Sequence, residues 1–465
     1  MSELSQNQIP LPDKHDERIR RSLRYSILDG AGWAAMAGFG ESFFGVFAVF
    51  LGATNLQMSL LASLPSALGS VSQYFSYRIL SLLRSRKIFV AISVFCQSLM
   101  FIPIGLVYFM GVHRTDLLIL FVSFYLVFGL LGVPAWNSWM GDLVNINEKG
   151  RFFGRRSRVT GLMTFLSFIA GGILLQRIGD QTGNKYYGFV SIFILACASR
   201  FCSFYFLTRK YEPEYKLGSD ERPRVRDYFE DPKLRNFTYL ALYISFMSFS
   251  IFISAPFFTP YMLKDLKFNY TAFTLVIAAS AIVRFFTLSI WGRLCDIYGT
   301  RKVLTVTGFL MPAIPFFWVF SGNIWYLVAA QCYNGFMWAG FEISSFNYMY
   351  DTTRPTNRVI SISYFNIANG VAIFLGALFG NLLVKYNNVF WSAYLIVFLI
   401  SGIFRYAASF MFLSRLKEER KVRSITYGKL LLHVFSSIPT TEYMFRAYTV
   451  VRNSRLIEDT FSRKK

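Results

Sequence analysis

Charge is scarce in this chain, and acid is scarcer than base. Only 16% of the 465 residues are Asp, Glu, Lys or Arg, against about a quarter in an average soluble domain. Histidine is nearly missing, with 3 copies at His15, His113 and His433, none inside an apolar run. That argues against an enzyme built around a membrane-embedded histidine, and no nucleophile–base pattern takes its place. The 5 cysteines (Cys96, Cys197, Cys202, Cys295, Cys332) lie in or beside apolar runs without a CxxC, so neither a disulfide framework nor a metal site is expected. No GxxxxGK[ST] occurs, so the chain is not expected to hydrolyse ATP. The opening MSELSQNQIPLPDKHDERIRRSLR has no apolar centre and is not read as a signal peptide. No cofactor is implied.

What fills the chain instead is apolar and aromatic: 54% hydrophobic and 18% aromatic residues, with a mean hydropathy of +0.40. A bilayer core takes about 20 apolar residues per helix. Twelve runs of that size can be drawn, from about 25–51 to about 390–413. They are too long and continuous for the alternating strands of a barrel. The predicted fold is an all-α polytopic membrane protein with twelve transmembrane helices.

The net charge of +22 is distributed unevenly. With the N-terminus placed inside, the opposite face holds only Arg114, Arg177, Lys185, Lys264, Lys267 and Lys385, while Arg200, Arg284 and Arg405 fall within runs. The other 39 of the 48 basic residues lie in the arm, the inner loops and the tail. This positive-inside pattern puts both termini in the cytoplasm. The basic surface then faces anionic lipid headgroups, and no separate basic domain is left to bind nucleic acid.

The longest polar break, 209–236, divides the runs six and six. The expected organisation is an N-terminal arm (1–24), a first half (25–208), a cytoplasmic linker (209–236), a second half (237–413) and a basic tail (414–465). Short matches link the halves: RFCSFYFLTR (200–209) with RYAASFMFLSR (405–415), RSRK (84–87) with GTRK (299–302), and Asn137 and Asp142 with Asn347 and Asp351. They predict two pseudo-symmetric six-helix halves.

After the eighth run comes GRLCDIYGTRK, with Gly292, Arg293, Asp296, Gly299, Arg301 and Lys302. Twelve spans, a central polar link and this G-x-x-x-D-x-x-G-x-R-K loop resemble the major facilitator superfamily over essentially all of residues 22–414. The family's other copy of the loop falls at YRILSLLRSRK (77–87), where Tyr77, Ser81 and Arg84 replace the two glycines and the aspartate. The resemblance implies a bacterial transporter, working as a monomer in the plasma membrane (the inner membrane of a Gram-negative cell). It implies that the loop is a conformational latch, closing the cytoplasmic side and breaking when that side opens. The pairings expected are Arg293 or Arg301 with Asp351, Asp296 with the start of span five around Arg155–Arg158, and Arg78 or Arg86 with Asp142. The glycines are expected to permit tight turning and helix approach.

Six ionisable residues stand inside runs: Asp29, Glu41, Arg200, Arg284, Glu342 and Arg405. Such residues are costly in a membrane and mark function by default. Opposite charges at one depth suggest Arg284 with Glu342 and Asp29 with Arg200, leaving Arg405 without an acid. Arg200 and Arg405 are expected to be structural or snorkelling. The resemblance places spans one, four, seven and ten around a central cavity. Glu41 is then the first candidate proton carrier and Glu342 the second. Trp136, Asn137, Arg284, Asn334, Trp338 and Asn347 are candidate substrate contacts, with Asn334, Trp338 and Glu342 at i, i+4 and i+8 on one helix face. The expected function is secondary transport of a small organic solute, coupled to protons. The alternatives are an uncoupled facilitator or a transporter-derived sensor signalling through the basic tail.

Overall fold

A computed structural model of the chain describes residues 14–144, 149–213, 228, 234–353, 358–387, 392–419 and 428. Helices dominate it. Among the described residues, twelve passes run back and forth: α1 Glu17–Phe50, α2 Asn55–Leu83, α3 Arg86–Phe109, α4 Gly111–Leu143, α5 Phe152–Thr182, α6 Lys185–Thr208, α7 Arg235–Asp265, α8 Tyr270–Tyr298, α9 Thr300–Phe320, α10 Ile324–Asp351, α11 Ser361–Tyr386 and α12 Leu395–Arg415. Ten of them are long and apolar enough to cross a membrane. The other two, α2 and α10, are just as long (29 and 28 residues) but more polar: α2 carries serines and α10 carries Asn334, Glu342 and Asn347. Much of the linker and nearly all of the tail, residues 420–427 and 429–465, lie outside the described residues.

Local chemistry starts these helices. Thr54 and Gln57 form a reciprocal capping box on α2. Side chains of Ser85, Asn184, Asn269 and Asn323 accept from the first turns of α3, α6, α8 and α10. Each such cap is worth about 1 kcal/mol. The turn from α8 to α9 passes through Gly299 at φ +97°, where a side chain would be strained. Its counterpart between α2 and α3 is Arg84, which adopts φ +53°. The loss of glycine from the first loop therefore leaves the turn in place and puts a non-glycine residue in the left-handed region. Arg84→Gly should raise thermal stability by about 1 kcal/mol, read as a higher unfolding temperature in detergent; an unchanged or lower value would show that Arg84 supplies a compensating contact.

The glycine-rich spans pack as small-residue interfaces do in membranes. A Cβ on Gly376 or Gly380 of α11 would press on the carbonyls of Phe249 and Ile253 of α7. One on Gly335 of α10 would meet the Ser280 carbonyl of α8. Two lateral seams between the halves use small residues. In one, Gly370 of α11 lies on Ser70 of α2. In the other, Gly172 and Gly161 of α5 lie against Thr274 and Phe285 of α8. Gly292 is different: a Cβ there would meet nothing within 4 Å, so the reading of this glycine as a packing residue is not supported.

The core is distributed unevenly between the two faces. Near the face opposite the termini, one continuous cluster joins both halves, with Phe43, Phe47 and Phe189 meeting Phe257, Tyr261 and Tyr270. Toward the terminus-bearing face, every buried apolar cluster among the described residues belongs to a single half. Among the described residues, the halves share one core on the far face and keep separate cores on the terminus face.

Candidate functional site

On the far face, hydrogen bonds join the two halves. Lys264 Nζ donates to the Ala53 carbonyl at 2.9 Å. Tyr394 OH donates to Asn55 Oδ1 at 3.0 Å, and the Tyr270 amide donates to Gln176 Oε1 at 3.2 Å. Each bond crosses from one half to the other. Below them the first helix breaks. It runs to Phe39, turns through Gly40 and a 3₁₀ segment Glu41–Phe43, and resumes at Phe44. Its repeat counterpart α7 breaks likewise, at a 3₁₀ segment Ala255–Phe257 holding Pro256. Interrupted helices of this kind are characteristic of transporter binding regions.

Glu41 sits in the break of α1. The Tyr125 hydroxyl of α4 donates to its Oε1 at 2.6 Å. A phenol hydroxyl carries no charge, so this contact is a hydrogen bond and not an ion pair. Sequence alone could not supply Tyr125, which is 84 residues away and one of 27 tyrosines.

Deeper in the same half lies a buried polar chain. Lys210 Nζ bonds Asp29 Oδ2 at 2.7 Å. Ser203 donates to Asp29 Oδ1 at 2.7 Å, and Arg200 donates to Ser203 at 3.1 Å and to Gln97 at 2.9 Å. The expected Asp29–Arg200 pair is thus replaced by Asp29–Lys210, with a serine between acid and arginine. The lysine follows the end of α6, so nothing in an apolar run announces it. Burial pushes the Lys210 ammonium below the ordinary lysine range, and Asp29 opposes the shift. Arg156 of α5 covers Trp136 at 4.6 Å and donates to the Ser26 carbonyl. Trp136 is therefore partly covered by a cation, while its neighbour Asn137 remains exposed.

Arg200 and Arg405 are both buried, at 6% and 3% exposure, which corrects the snorkelling expectation. Arg405 bonds the hydroxyls of Ser401 and Ser254, both at 3.1 Å. Ser254 immediately precedes the break of α7. The two arginines thus occupy related places in the two halves.

In the second half, Arg284 NH2 meets Glu342 Oε2 at 2.6 Å, with side chains 44% and 46% exposed. Asn334 is tied to Ser280 and Gln331. Trp338 packs beside Phe341, against the core of that half. Of the predicted stripe, only Glu342 is exposed. Asn347 is half-buried near the end of α10.

The latch residues lie at the terminus face. Arg86 NH1 meets Asp142 Oδ2 at 2.5 Å, on the face where the described cores of the two halves are separate. Both residues belong to the first half, so this pair does not have to break when the face opens, contrary to the expected cycle. Its repeat counterpart differs: Asp351 accepts from Thr300, and the structure describes no Arg293–Asp351 or Arg301–Asp351 ion pair. Arg293 and Asp296 are exposed on the last turns of α8, and Lys302 is half-buried in the first turn of α9.

Two acids missing from the sequence reading complete these corners. Glu212 accepts from the Arg86 amide at 2.6 Å and from Ser85 at 2.6 Å. Glu418 accepts from the Arg301 amide at 3.0 Å and from Thr300 at 3.4 Å. Each lies on a strap after the last helix of its half, and each caps the N-terminus of the third, where a carboxylate is favoured. The straps match further: Trp139 donates to the Tyr211 carbonyl at 2.9 Å, and Tyr348 donates to the Lys417 carbonyl at 2.5 Å. Extending the 200–209 and 405–415 match beyond the helix ends would have reached both acids.

Two repeated six-helix halves, joined in one core on the far face and separate among the described residues of the other, with polar groups at broken helices, have the architecture of an alternating-access membrane transporter. A family model for the Major Facilitator Superfamily matches residues 31–258 and again residues 240–457, and the chain belongs to that superfamily. No curated protein matches the sequence. Solved structures agree on the fold. A D-xylose–proton symporter is 12% identical with a TM-score of 0.65, over 88% of this chain and 100% of that one. The nucleoside transporter NupG is 14% identical with a TM-score of 0.58, over 86% and 99%. A bacterial homologue of the human lysosomal transporter Spinster, inward-facing and unoccupied, is 13% identical with a TM-score of 0.58, over 89% and 100%.

Proposed function

We propose that this protein moves a small organic solute across the plasma membrane by alternating access, with protons carried on Glu41 as the driving ion. The observation that carries the reading is the unequal closure of the two faces: one shared core on the far side, separate cores on the other. If the basic face is cytoplasmic, as its Lys and Arg content argues, this is the inward-open state. A proton site at the helix break fits that state, because Glu41 lies beside the far-face seal and below the parted region. The same reading divides the chain into the arm, two halves, linker and tail drawn from the sequence.

The latch takes a modified form. Arg86–Asp142 and the Glu212 and Glu418 straps keep the corner of each half rigid throughout the cycle. The loop Gly292–Lys302 engages the start of α5 through Asp296 when the cytoplasmic side is closed. The test is uptake by the purified protein in liposomes, with a panel of sugars, amino acids, organic acids and hydrophobic amines under an imposed proton gradient. Gradient-dependent accumulation of one class supports the reading. Uptake that only equilibrates, whatever the gradient, makes the protein a facilitator. Uptake of none, from a folded sample, favours a sensor.

A further inference from the structure

The ion pair Arg284–Glu342 is poorly suited to holding helices together. The contact of α8 with α10 is made elsewhere: Gly335 on the Ser280 carbonyl, Gly340 on the Trp291 ring, and a bond from Trp291 Nε1 to the Phe336 carbonyl at 2.8 Å. With both side chains nearly half exposed, the pair adds only about 0–1 kcal/mol to packing. Yet both groups are carried at membrane depth, where a charge is costly and calls for a function.

Its position shows what it faces. On α8, Thr274 and Phe285 mark the side packed on α5, and Ser280 and Trp291 the side packed on α10. At about 100° per residue, Arg284 falls between those two sides. The opposite sector carries the exposed stripe Leu275, Ile282 and Phe286, which suits lipid. Arg284 therefore looks inward, from the midpoint of a helix that runs from Tyr270 to Tyr298. Substrate sites of such transporters lie near that level.

We infer that Arg284 and Glu342 form the recognition site for a zwitterionic solute, one carrying an anionic and a cationic group a few bonds apart, such as an amino acid or a betaine. This rests on the transporter reading above and specifies its cargo. In the empty site each side chain serves as the other's counter-ion. The Glu342 carboxylate stands where the solute's anion would sit on Arg284, and the guanidinium stands where the solute's cation would sit on Glu342. A zwitterion inserted between them replaces one weak ion pair by two, leaving no charge unpaired. A solute bearing one charge strands the other partner, and a neutral solute has to compete with the pair itself.

The experiment measures binding to the full chain in detergent by calorimetry, with uptake in liposomes alongside. The probes are L-leucine, L-phenylalanine and glycine betaine, each with its matched acid lacking the cation and its matched amine lacking the anion, plus D-xylose as a neutral control. The expected result is binding of at least one zwitterion, with its matched acid and amine each weaker by about tenfold or more. Glu342→Gln should then lose discrimination against the acid, and Arg284→Gln discrimination against the amine. The exchanged variant Arg284→Glu with Glu342→Arg restores the pair and controls for folding. Equal binding of a zwitterion and its acid or amine, binding of xylose alone, or binding of no zwitterion overturns the assignment. Transport of any other solute in those cases leaves the transporter reading standing, so the two failures are distinguishable.

Discussion

Glu41→Gln will abolish proton movement driven by solute, reducing it to the level of empty liposomes, while solute exchange between equal concentrations across the same membranes persists. The substitution changes little else. A glutamine oxygen can still accept from Tyr125 at the position of Oε1, the 3₁₀ break is set by the backbone around Gly40, and the volume is nearly the same. What is lost is the ability to exchange a proton at the point where α1 is interrupted. Asp29 cannot substitute, because Lys210 and Ser203 hold both its oxygens. Loss of coupled movement with retained exchange would identify the carrier. Loss of both would show Glu41 to be part of the solute site or the fold, and loss of neither would make the transport uncoupled or place the carrier elsewhere.

Lys210→Met will destabilise the first half by about 3–5 kcal/mol, the usual consequence of removing one partner of a buried pair. Asp29 is 3% exposed, and its nearest remaining cations, Arg200 and Arg156, are engaged with Gln97, Ser203 and the Ser26 carbonyl. Thermal unfolding of the purified protein should show a large drop. Adding Asp29→Asn should recover most of it, since a neutral amide buried beside Ser203 costs far less than a stranded carboxylate. A double variant no more stable than Lys210→Met would mean that the lysine acts through packing on Trp139, 5.5 Å from its ammonium, and not through charge.

Parts of this site were legible because the chain is so apolar. Arg284 and Glu342 could be paired from depth alone, and the repeat pointed Asp142 to Arg78 or Arg86, of which the structure shows Arg86. The failures share a cause. Lys210, Glu212 and Glu418 lie just past helix ends, in polar stretches where one more charge carries no signal, and only the fold returns those stretches beneath the bundles. Tyr125 is one aromatic among many, and the break at Gly40 is hidden inside a run that reads as a single span. The latch loop misled in the opposite way. Its family pattern drew attention to Gly292, where an added Cβ would meet nothing within 4 Å, and away from Arg84, which keeps the same turn without a glycine.

The central claim is that the two faces open and close reciprocally. It is tested most directly by distances between spin labels on the full chain in lipid nanodiscs. One pair goes at Leu82 and Ile297 on the terminus face, the other at Val112 and Tyr386 on the far face, all exposed positions. Removing two far-face bonds with Lys264→Ala and Tyr394→Phe takes away about 2 kcal/mol of closure, enough to shift a two-state population by roughly thirtyfold. The account predicts that the Val112–Tyr386 distance lengthens while Leu82–Ile297 shortens, in the same fraction of molecules. A far face that loosens while the terminus face keeps its wild-type distances would contradict it.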